Sequence, residues 1–575
     1  MKNTALKSIR QTAFLCATNK CGLVVISPGS RNAPLTIAFN RQEGLRCISV
    51  TDERAAAFYA LGAAQKTNAT SVLICTSGSA VLNYAPAIAE AYFQEIPLLI
   101  LTADRPSHMI GQGHGQTIFQ QDVFGKHVKA SFQLPDDAES LDGLNHCNRI
   151  INKALNLCNN GVPGPVHVNI PLAEPLYEQL DVKEESFELI ESADILSDIN
   201  EEEWEHLSDE WKKYDRKMIV VGQQRPNNEL NALLNELFVD GKAIVLTETT
   251  SNVKEAHCFT NTDRFMVCLE NDEFLSSLYK PDLLISIGGA IVSKKIKAFL
   301  SQNKPKAHWY LGINNRKPDV FKSLSRCLDV EPQKALSIFK SLRPEVGAIR
   351  YVQAWKNLDV ILNKAQLEFE KDLEFCDYNV MKSLMLALPP DSDLHIGNSS
   401  PVRYSNLFKL NNDVEVYCNR GTSGIDGVSS TAIGAALMSK KTTTLITGEI
   451  AFLYDSNAFW FNNIPSNIRL IVINNGGGGI FRIIPGPDKL EELEEFFETK
   501  HKRDLECLAK AYKLNYVCVN DHNELNNALT YFFNEETGPS VIEIKTNGEL
   551  SADIQRTYFK KIKESYEQSD KLANA

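Results

Sequence analysis

One feature recurs along this chain and restricts its fold more than any other. Short runs of aliphatic, largely β-branched residues are each cut off by Gly, Ser, Asn or a charge. "TTTLITGE" (442–449) and "LIVINNGG" (470–477) are the clearest pair. Each reads as a buried strand, with a helical stretch between them. They leave an acid, Glu449, and an amide, Asn475, at two strand ends 26 positions apart, followed by four glycines.

The same alternation fills the first ~180 residues: "GLVVISPGS", "LRCISVTDE", "TSVLICTSG", "PLLILTADRP" and "GPVHVNIP". Strands spaced by helices imply β-α units and a parallel sheet covered on both faces. A second group comprises "KMIVVGQQ", "AIVLTETTS", "DLLISIGGAI" and "AHWYLGI", and a third "DLHIGNSS", "VEVYCNRG", "TTTLITGE", "LIVINNGG" and "SVIEIKT". At 575 residues the chain exceeds one core. We expect three α/β domains, at 1–182, 183–350 and 351–575, the first and third alike. The acidic stretch 181–210 reads as a linker, 345–375 as a charged helix, and the tail beyond 555 as a charged surface helix.

Composition narrows the function. A net charge of −12 with no basic run argues against a nucleic-acid partner. Local arginines still leave room for anionic small molecules. The 13 cysteines fall singly, without C-x-x-C, and read as reduced and buried. Residues 67–89 are uncharged but carry Thr, Ser, Asn, Gly and Pro, which suits a strand and helix rather than a membrane span. The N-terminal stretch has no signal-peptide pattern, so a cytoplasmic location is expected.

Three constellations sit at strand ends. Glu449, Asn475 and a carbonyl near Gly477 offer oxygen ligands to a hard cation such as Mg²⁺, and glycines let a diphosphate approach the backbone. An exposed acid beside a glycine-rich turn is the plainer alternative. Glu53 opens an apolar helix in "VTDERAAAFYALGAA". A helix-start acid favoured by the dipole explains it equally, but if buried it needs a partner. Arg31, Arg105, Arg403, Arg420 and, less securely, Lys294 form the third group. Guanidinium forks match carboxylates, although a lone arginine is usually a surface solubiliser.

Together these stretches resemble a known family. "SPGSRNAPL", "TDERAAAFYALG", "TSGSAVLNYAPAIAEA", "LTADRP", "GNSSPVR", "NRGTSGIDG" and "NNGGGGIF" occur in the order found in the thiamine-diphosphate enzymes. Within that superfamily they resemble the 2-succinyl-5-enolpyruvyl-6-hydroxy-3-cyclohexene-1-carboxylate synthases of menaquinone biosynthesis. The resemblance implies three domains, each a mostly parallel sheet flanked by helices, as in the thiamine-diphosphate decarboxylases and carboligases. The first would be the pyrimidine-binding domain and the third the diphosphate-binding domain.

The resemblance also implies roles. Glu53 matches the glutamate that shares a proton with the cofactor's aminopyrimidine, so that the ring can deprotonate the thiazolium C2. Ile425 matches the residue that bends the cofactor into a V; core packing is its other reading. Ser77, Gly78, Gly424, Gly448 and Ile480 would line the cofactor. Glu449, Asn475 and Gly477 would hold Mg²⁺, or Mn²⁺ in its place. Here the chain departs from the usual Gly-Asp, because residue 449 is Glu. With metal–oxygen distances of about 2.1 Å and little tolerance, the backbone must retreat, the side chain fold back or a water intervene.

The implied reaction decarboxylates 2-oxoglutarate and adds the succinyl carbanion to isochorismate by a Stetter-like 1,4-addition. Ser30, Arg31, Arg105, Gln116 and Lys294 would hold isochorismate. Ser399, Arg403 and Arg420 would hold the 2-oxoglutarate part, with Ile480, Phe481 and Ile484 as an apolar wall. The two halves of the site would come from different chains of a homodimer or homotetramer. Three rivals are weighed: an acetohydroxyacid-synthase-type carboligase, a dinucleotide oxidoreductase (no G-x-G-x-x-G follows the first strand), and a non-catalytic homologue disabled at Glu449.

Overall fold

The computed structural model describes residues 2–574 except 184, 193–198, 255–257, 271, 314–315, 411–412, 485 and 535–537, and no side chain beyond 569. Part of the expected linker therefore lies outside the described residues.

Three sheets carry the fold, and every strand pairing within them is parallel. The first uses Leu23–Ile26, Arg46–Ser49, Ser71–Cys75, Leu98–Asp104, Ala130–Gln133 and Val166–Pro171. The last uses Asp393–Ile396, Glu415–Tyr417, Thr443–Gly448, Ile468–Asn474, Asn515–Val519 and Ser540–Lys545. Numbered along the chain, both have the spatial order 2-1-3-4-6-5. The central sheet, Lys217–Val221 through Arg326–Leu328, is five-stranded with order 2-1-3-4-5. In each, the chain runs outward in both directions from the first strand. That reversal opens a crevice at the carboxyl ends of the first and third strands, where such sheets bind ligands.

Two helices lock the first sheet to the last. Glu53–Thr67 and Val428–Met438 are both rich in Ala and carry one Gly each. A Cβ at Gly62 would collide with the Thr431 carbonyl, and one at Gly434 with the Tyr59 carbonyl. The backbones therefore touch, and the helix that begins at Glu53 is fixed against the one that follows Ile425. At its far end, Lys66 Nζ lies 2.7 Å from Asp393 Oδ1 and 2.8 Å from Glu415 Oε2, while Lys441 approaches Glu415 at 2.9 Å. Burial opposes ionisation of Glu415, but bonds from Lys66, Lys441 and Tyr417 outweigh it and bring its carboxyl from 4.5 down to about 2.

Several expectations change. Glu201–Lys212, inside the acidic stretch read as linker, is a helix that buries Trp204, Leu207 and Trp211. Its surface acids masked a three-and-four-residue apolar spacing. The C-terminal helix Gly548–Asn574 is charged but not merely superficial. Tyr558, Ile562 and Tyr566 are buried in the core shared with helix Val346–Phe369. Strands Ala130–Gln133 and Asn515–Val519, not singled out in the sequence, fill positions in the two six-stranded sheets. Among the described residues, no helix is long and apolar enough to cross a membrane.

Gly434→Ala is expected to cost about 1–3 kcal/mol through overpacking of the helix contact, read as a lower thermal midpoint. Glu415→Gln is expected to cost about 2 kcal/mol at neutral pH by removing charged hydrogen bonds. Because the folded-state value is depressed, that stabilisation is present above pH 4.5 and is lost as pH falls towards 2. The thermal gap between wild type and variant should be full at pH 7 and begin to close below pH 4.5.

Candidate functional site

The parallel register of Thr443–Gly448 with Ile468–Asn474 sets Gly448 opposite Ile473. The next residues of each strand, Glu449 and Asn475, therefore emerge side by side. Glu449 is the first residue of a short helix and is 2% exposed. Its Oε1 has no hydrogen-bond partner, nor has Asn475 Oδ1 or His501 Nε2. His501 Nε2 lies 3.8 Å from Glu449 Oε1. Burial pushes the Glu449 carboxyl up to about 8; Asp377 adds to the rise, while backbone amides of Glu449, Gly477 and Asn475 oppose it. Asn475 Nδ2 donates to Asp377 Oδ2 at 2.9 Å, which turns its Oδ1 the other way.

Two unpartnered buried oxygens and the adjacent Gly477 carbonyl make an all-oxygen donor set. It fits a hard divalent cation that keeps water or phosphate in its remaining positions. Among the described residues, no cluster of three or more His, Cys, Asp or Glu offers another kind of metal site. A cavity of about 340 Å³ opens beside Asn475, lined by Asn475–Gly477, Arg482, Glu498, Lys500 and residues 546–549. Its backbone-lined wall suits a diphosphate; Arg482 and Lys500 there are ion-paired with Glu494, Glu498 and Glu549. Beyond it, Ile480 is buried, while Phe481 and Ile484 are half-buried.

The segments after the first and second strands of the last sheet carry Arg403 and Arg420. Asn398 donates to the Asn419 and Gly424 carbonyls at 2.6 and 2.7 Å, holding the loop that carries Arg420 and half-buried Ile425. Arg420 is buried, donates to Asn398 Oδ1 at 2.9 Å and leaves Nε unpartnered. Arg403 bonds the Ser399 carbonyl at 2.6 Å. Burial and then Arg420 weaken its hold on its proton. Glu90, on the helix Ala85–Gln94, braces the same loop, accepting from the Gly421 and Thr422 amides at 2.7 and 2.6 Å.

In the first sheet, Asp52 caps the helix that begins at Glu53, accepting from the Arg54 amide at 2.8 Å. Glu53 is half-buried and takes no hydrogen bond or ion pair from the described residues of its own chain. Its charge reaches the end of the third strand: after burial, it helps raise Cys75 and Tyr84. The buried-partner argument for Glu53 is therefore not met within one chain. Ser77 is buried and Gly78, at φ +87°, lets the Gln116 backbone pack close. Its amide donates to Gln120 Oε1 at 2.9 Å.

Arg31 and Arg105 flank Asp104. Arg31 is buried and donates to the Leu172 carbonyl at 2.9 Å and Glu174 at 3.3 Å; Arg105 donates to the Gly115 carbonyl at 3.0 Å. Ser30 and Gln116 are exposed. No hydrogen bond or ion pair among the described residues joins Glu53, Arg31 or Arg105 to Glu449, Asn475, Arg403 or Arg420.

Lys294 is exposed at the first position of its helix. Lys297, one turn on, lines a cleft of about 950 Å³ together with Arg420. The i, i+3 spacing in "KKIK" was the available signal for it. Glu248 and Asp263 face the same cations and were also missed. Glu248 accepts from the Val292 and Ser293 amides at 2.7 and 2.6 Å, and burial pushes its carboxyl up to about 7.

Comparison with known proteins defines the class. Residues 12–125 match the N-terminal and residues 396–544 the C-terminal TPP binding domain of thiamine pyrophosphate enzymes. A thiamine diphosphate-dependent 4-hydroxybenzoylformate decarboxylase from Rhodococcus jostii RHA1 shares the fold, with TM-score 0.69 and 17% identity over 94% of this chain and 99% of its own. The chain is 38% identical to the 2-succinyl-5-enolpyruvyl-6-hydroxy-3-cyclohexene-1-carboxylate synthase of Christiangramia forsetii, over 97% of this chain and 99% of that protein. It is 40% identical to the synthase of Flavobacterium johnsoniae, over 95% and 97% respectively. It belongs to that synthase family, a family of thiamine-diphosphate-dependent transferases.

Glu449→Ala should weaken thiamine diphosphate binding in a way that depends on Mg²⁺. Fluorescence titration of the cofactor across Mg²⁺ concentrations measures it; unchanged affinity throughout would remove Glu449 from the metal site.

Proposed function

We propose that this chain joins 2-oxoglutarate to isochorismate with loss of CO₂, in the cytoplasm, as a step of menaquinone biosynthesis. The observation that carries the reading is the pair of unpartnered buried oxygens of Glu449 and Asn475, at adjacent strand ends of a chain from this synthase family. Glu449, Asn475 and the Gly477 carbonyl hold Mg²⁺, or Mn²⁺, against the diphosphate. When bound, thiamine diphosphate supplies a carbon nucleophile that also accepts the electrons released by decarboxylation.

The protein's own groups do the rest. Glu53 holds a proton at the aminopyrimidine ring, and Ile425 presses the two rings together. Ser77, Gly78, Gly424, Gly448 and Ile480 enclose the cofactor. Arg403 and Arg420, with Ser399, bind the carboxylates of 2-oxoglutarate. Loss of CO₂ from C1 of 2-oxoglutarate would leave the C1–C2 electron pair to the bound cofactor. Ile480, Phe481 and Ile484 keep the departing carboxylate in apolar surroundings that favour the neutral product. Ser30, Arg31, Arg105, Gln116 and Lys294 orient isochorismate so that one carbon of its conjugated double bond takes the new bond from C2 while the double bond opens and its other end takes a proton. The cation supply matches substrates that each carry two carboxylates.

The site is completed between two chains, so the active form is at least a homodimer, and a tetramer repeats the same interface. Support comes from Glu53, which lacks a partner among the described residues of its own chain, and from the absence of any bond there between the two half-sites. The first sheet then acts as the pyrimidine-binding unit (1–182) and the last as the diphosphate-binding unit (351–575), around a central domain (183–350).

The test is isochorismate consumption, followed by absorbance, with protein, 2-oxoglutarate, thiamine diphosphate and Mg²⁺, omitting each in turn. Signal loss that requires all four supports the synthase; no turnover in a folded, cofactor-binding protein rejects it. Glu53→Gln should keep the thermal midpoint and lower the rate by at least about 100-fold, the scale of lost acid–base catalysis. A near-normal rate would remove Glu53 from that role.

A further inference from the structure

Behind the oxygens of Glu449 and Asn475 sits a second buried acid that no substrate or cofactor role has absorbed. Asp377 opens the helix Asp377–Ala387, 98 residues before Asn475, and is 2% exposed. Among the described residues neither Asp377 nor Glu449 has a lysine or arginine partner. A lone buried carboxylate costs several kcal/mol, and two close together cost more. Something must compensate them, and the geometry indicates what.

Asp377 makes three bonds, two of them to residues of the metal and diphosphate corner. Its Oδ2 accepts from Asn475 Nδ2 at 2.9 Å, its Oδ1 accepts from Thr546 Oγ1 at 2.5 Å, and its amide donates to Ser551 Oγ at 3.0 Å. Thr546 in turn donates its own amide to the Asn474 carbonyl at 3.0 Å, and lines the cavity beside Asn475. The terminal torsion of an asparagine is broad and nearly two-fold. Nothing intrinsic to Asn475 decides whether its oxygen or its NH₂ faces the cavity. An ionised carboxylate accepts and does not donate. By taking the NH₂, Asp377 turns the oxygen away from itself, and that oxygen is left without a partner among the described residues.

We propose that Asp377 is a positioning residue for the divalent-cation site: it fixes the Asn475 side chain with its oxygen facing the cation, without touching the metal. This rests on the reading of Glu449, Asn475 and Gly477 as the cation's ligands. Groups that orient a ligand from behind typically tune metal affinity by about 10- to 100-fold. A cation drawn to this corner also answers the cost of the two acids.

The experiment uses the full chain with thiamine diphosphate and titrates Mn²⁺, reading free Mn²⁺ by electron paramagnetic resonance. Asp377→Ala should weaken Mn²⁺ binding by about 10- to 100-fold. Asp377→Asn keeps an oxygen that can accept from Asn475, so its affinity should lie nearer to wild type. Because Asp377 acts through Asn475, the double variant Asp377→Ala/Asn475→Ala should bind no more weakly than Asn475→Ala alone. Full affinity in Asp377→Ala beside a clear loss in Asn475→Ala would overturn the proposal and leave the metal site standing. Losses that add in the double variant would also overturn it. Unchanged affinity in both single variants would overturn the metal site itself. Metal-free thermal midpoints separate folding from binding. If Asp377→Ala does not fold, Thr546→Val removes the hydroxyl that holds Asp377: weaker Mn²⁺ binding at an unchanged midpoint supports the proposal, and unchanged binding rejects it.

Discussion

The site depends on one register. Gly448 lies opposite Ile473 between two parallel strands, so residues separated by a whole helix leave the sheet as neighbours. An antiparallel pairing would send Glu449 and Asn475 to opposite ends. A one-residue slip would separate their side chains across the pleat. Apolar side chains on both faces of the strands specify that register, since any slip would break the packing against the helices on either side. The chemistry of the corner is thus a consequence of the most hydrophobic part of the last sheet.

The first sheet repeats the device with different residues. Its spatial order matches that of the last sheet strand for strand, and its strand ends carry Ser30 and Arg31, Glu53, Ser77 and Gly78, and Arg105. What differs is how the polar groups are satisfied. Arg31 and Arg105 are anchored on carbonyls and flank Asp104, whereas Glu449 and Asn475 keep oxygens unpartnered. One sheet end is internally balanced and able to present cations; at the other, the acids Glu449 and Asp377 have no lysine or arginine partner among the described residues. The helix contact at Gly62 and Gly434 holds these unlike halves in fixed relation, because a backbone-to-backbone contact leaves no side chain to slide.

Much of this was legible in the sequence because buried parallel strands carry a strong local signal. The runs ending at 448 and 474 stand out by composition alone, and so did the acid and amide that follow them. Less was legible where charge covers an apolar stripe. Trp204, Leu207 and Trp211 hide in an acidic helix, and Tyr558, Ile562 and Tyr566 in a lysine-rich one. The half-buried strand Ala130–Gln133 lacks the apolar run altogether. Within the site, residue types were legible but pairings were not. Nothing in "FCDYNV" links Asp377 to an asparagine 98 residues on, since only the fold closes that distance. Lys294 and Lys297 differ by one helical turn, and it took the packing of the helix to decide which one lines the cleft.

The glutamate at 449 fits the same physical picture. A carboxylate one methylene longer than aspartate must find room without moving its oxygens. The space around the preceding residue is open: a Cβ at Gly448 would meet nothing within 4 Å, so the backbone can sit farther back there. At the same time, the amides of Glu449, Asn475 and Gly477 face the carboxylate. The longer side chain therefore lies over the strand-end loop, within reach of the amides that receive it, instead of extending into the cavity.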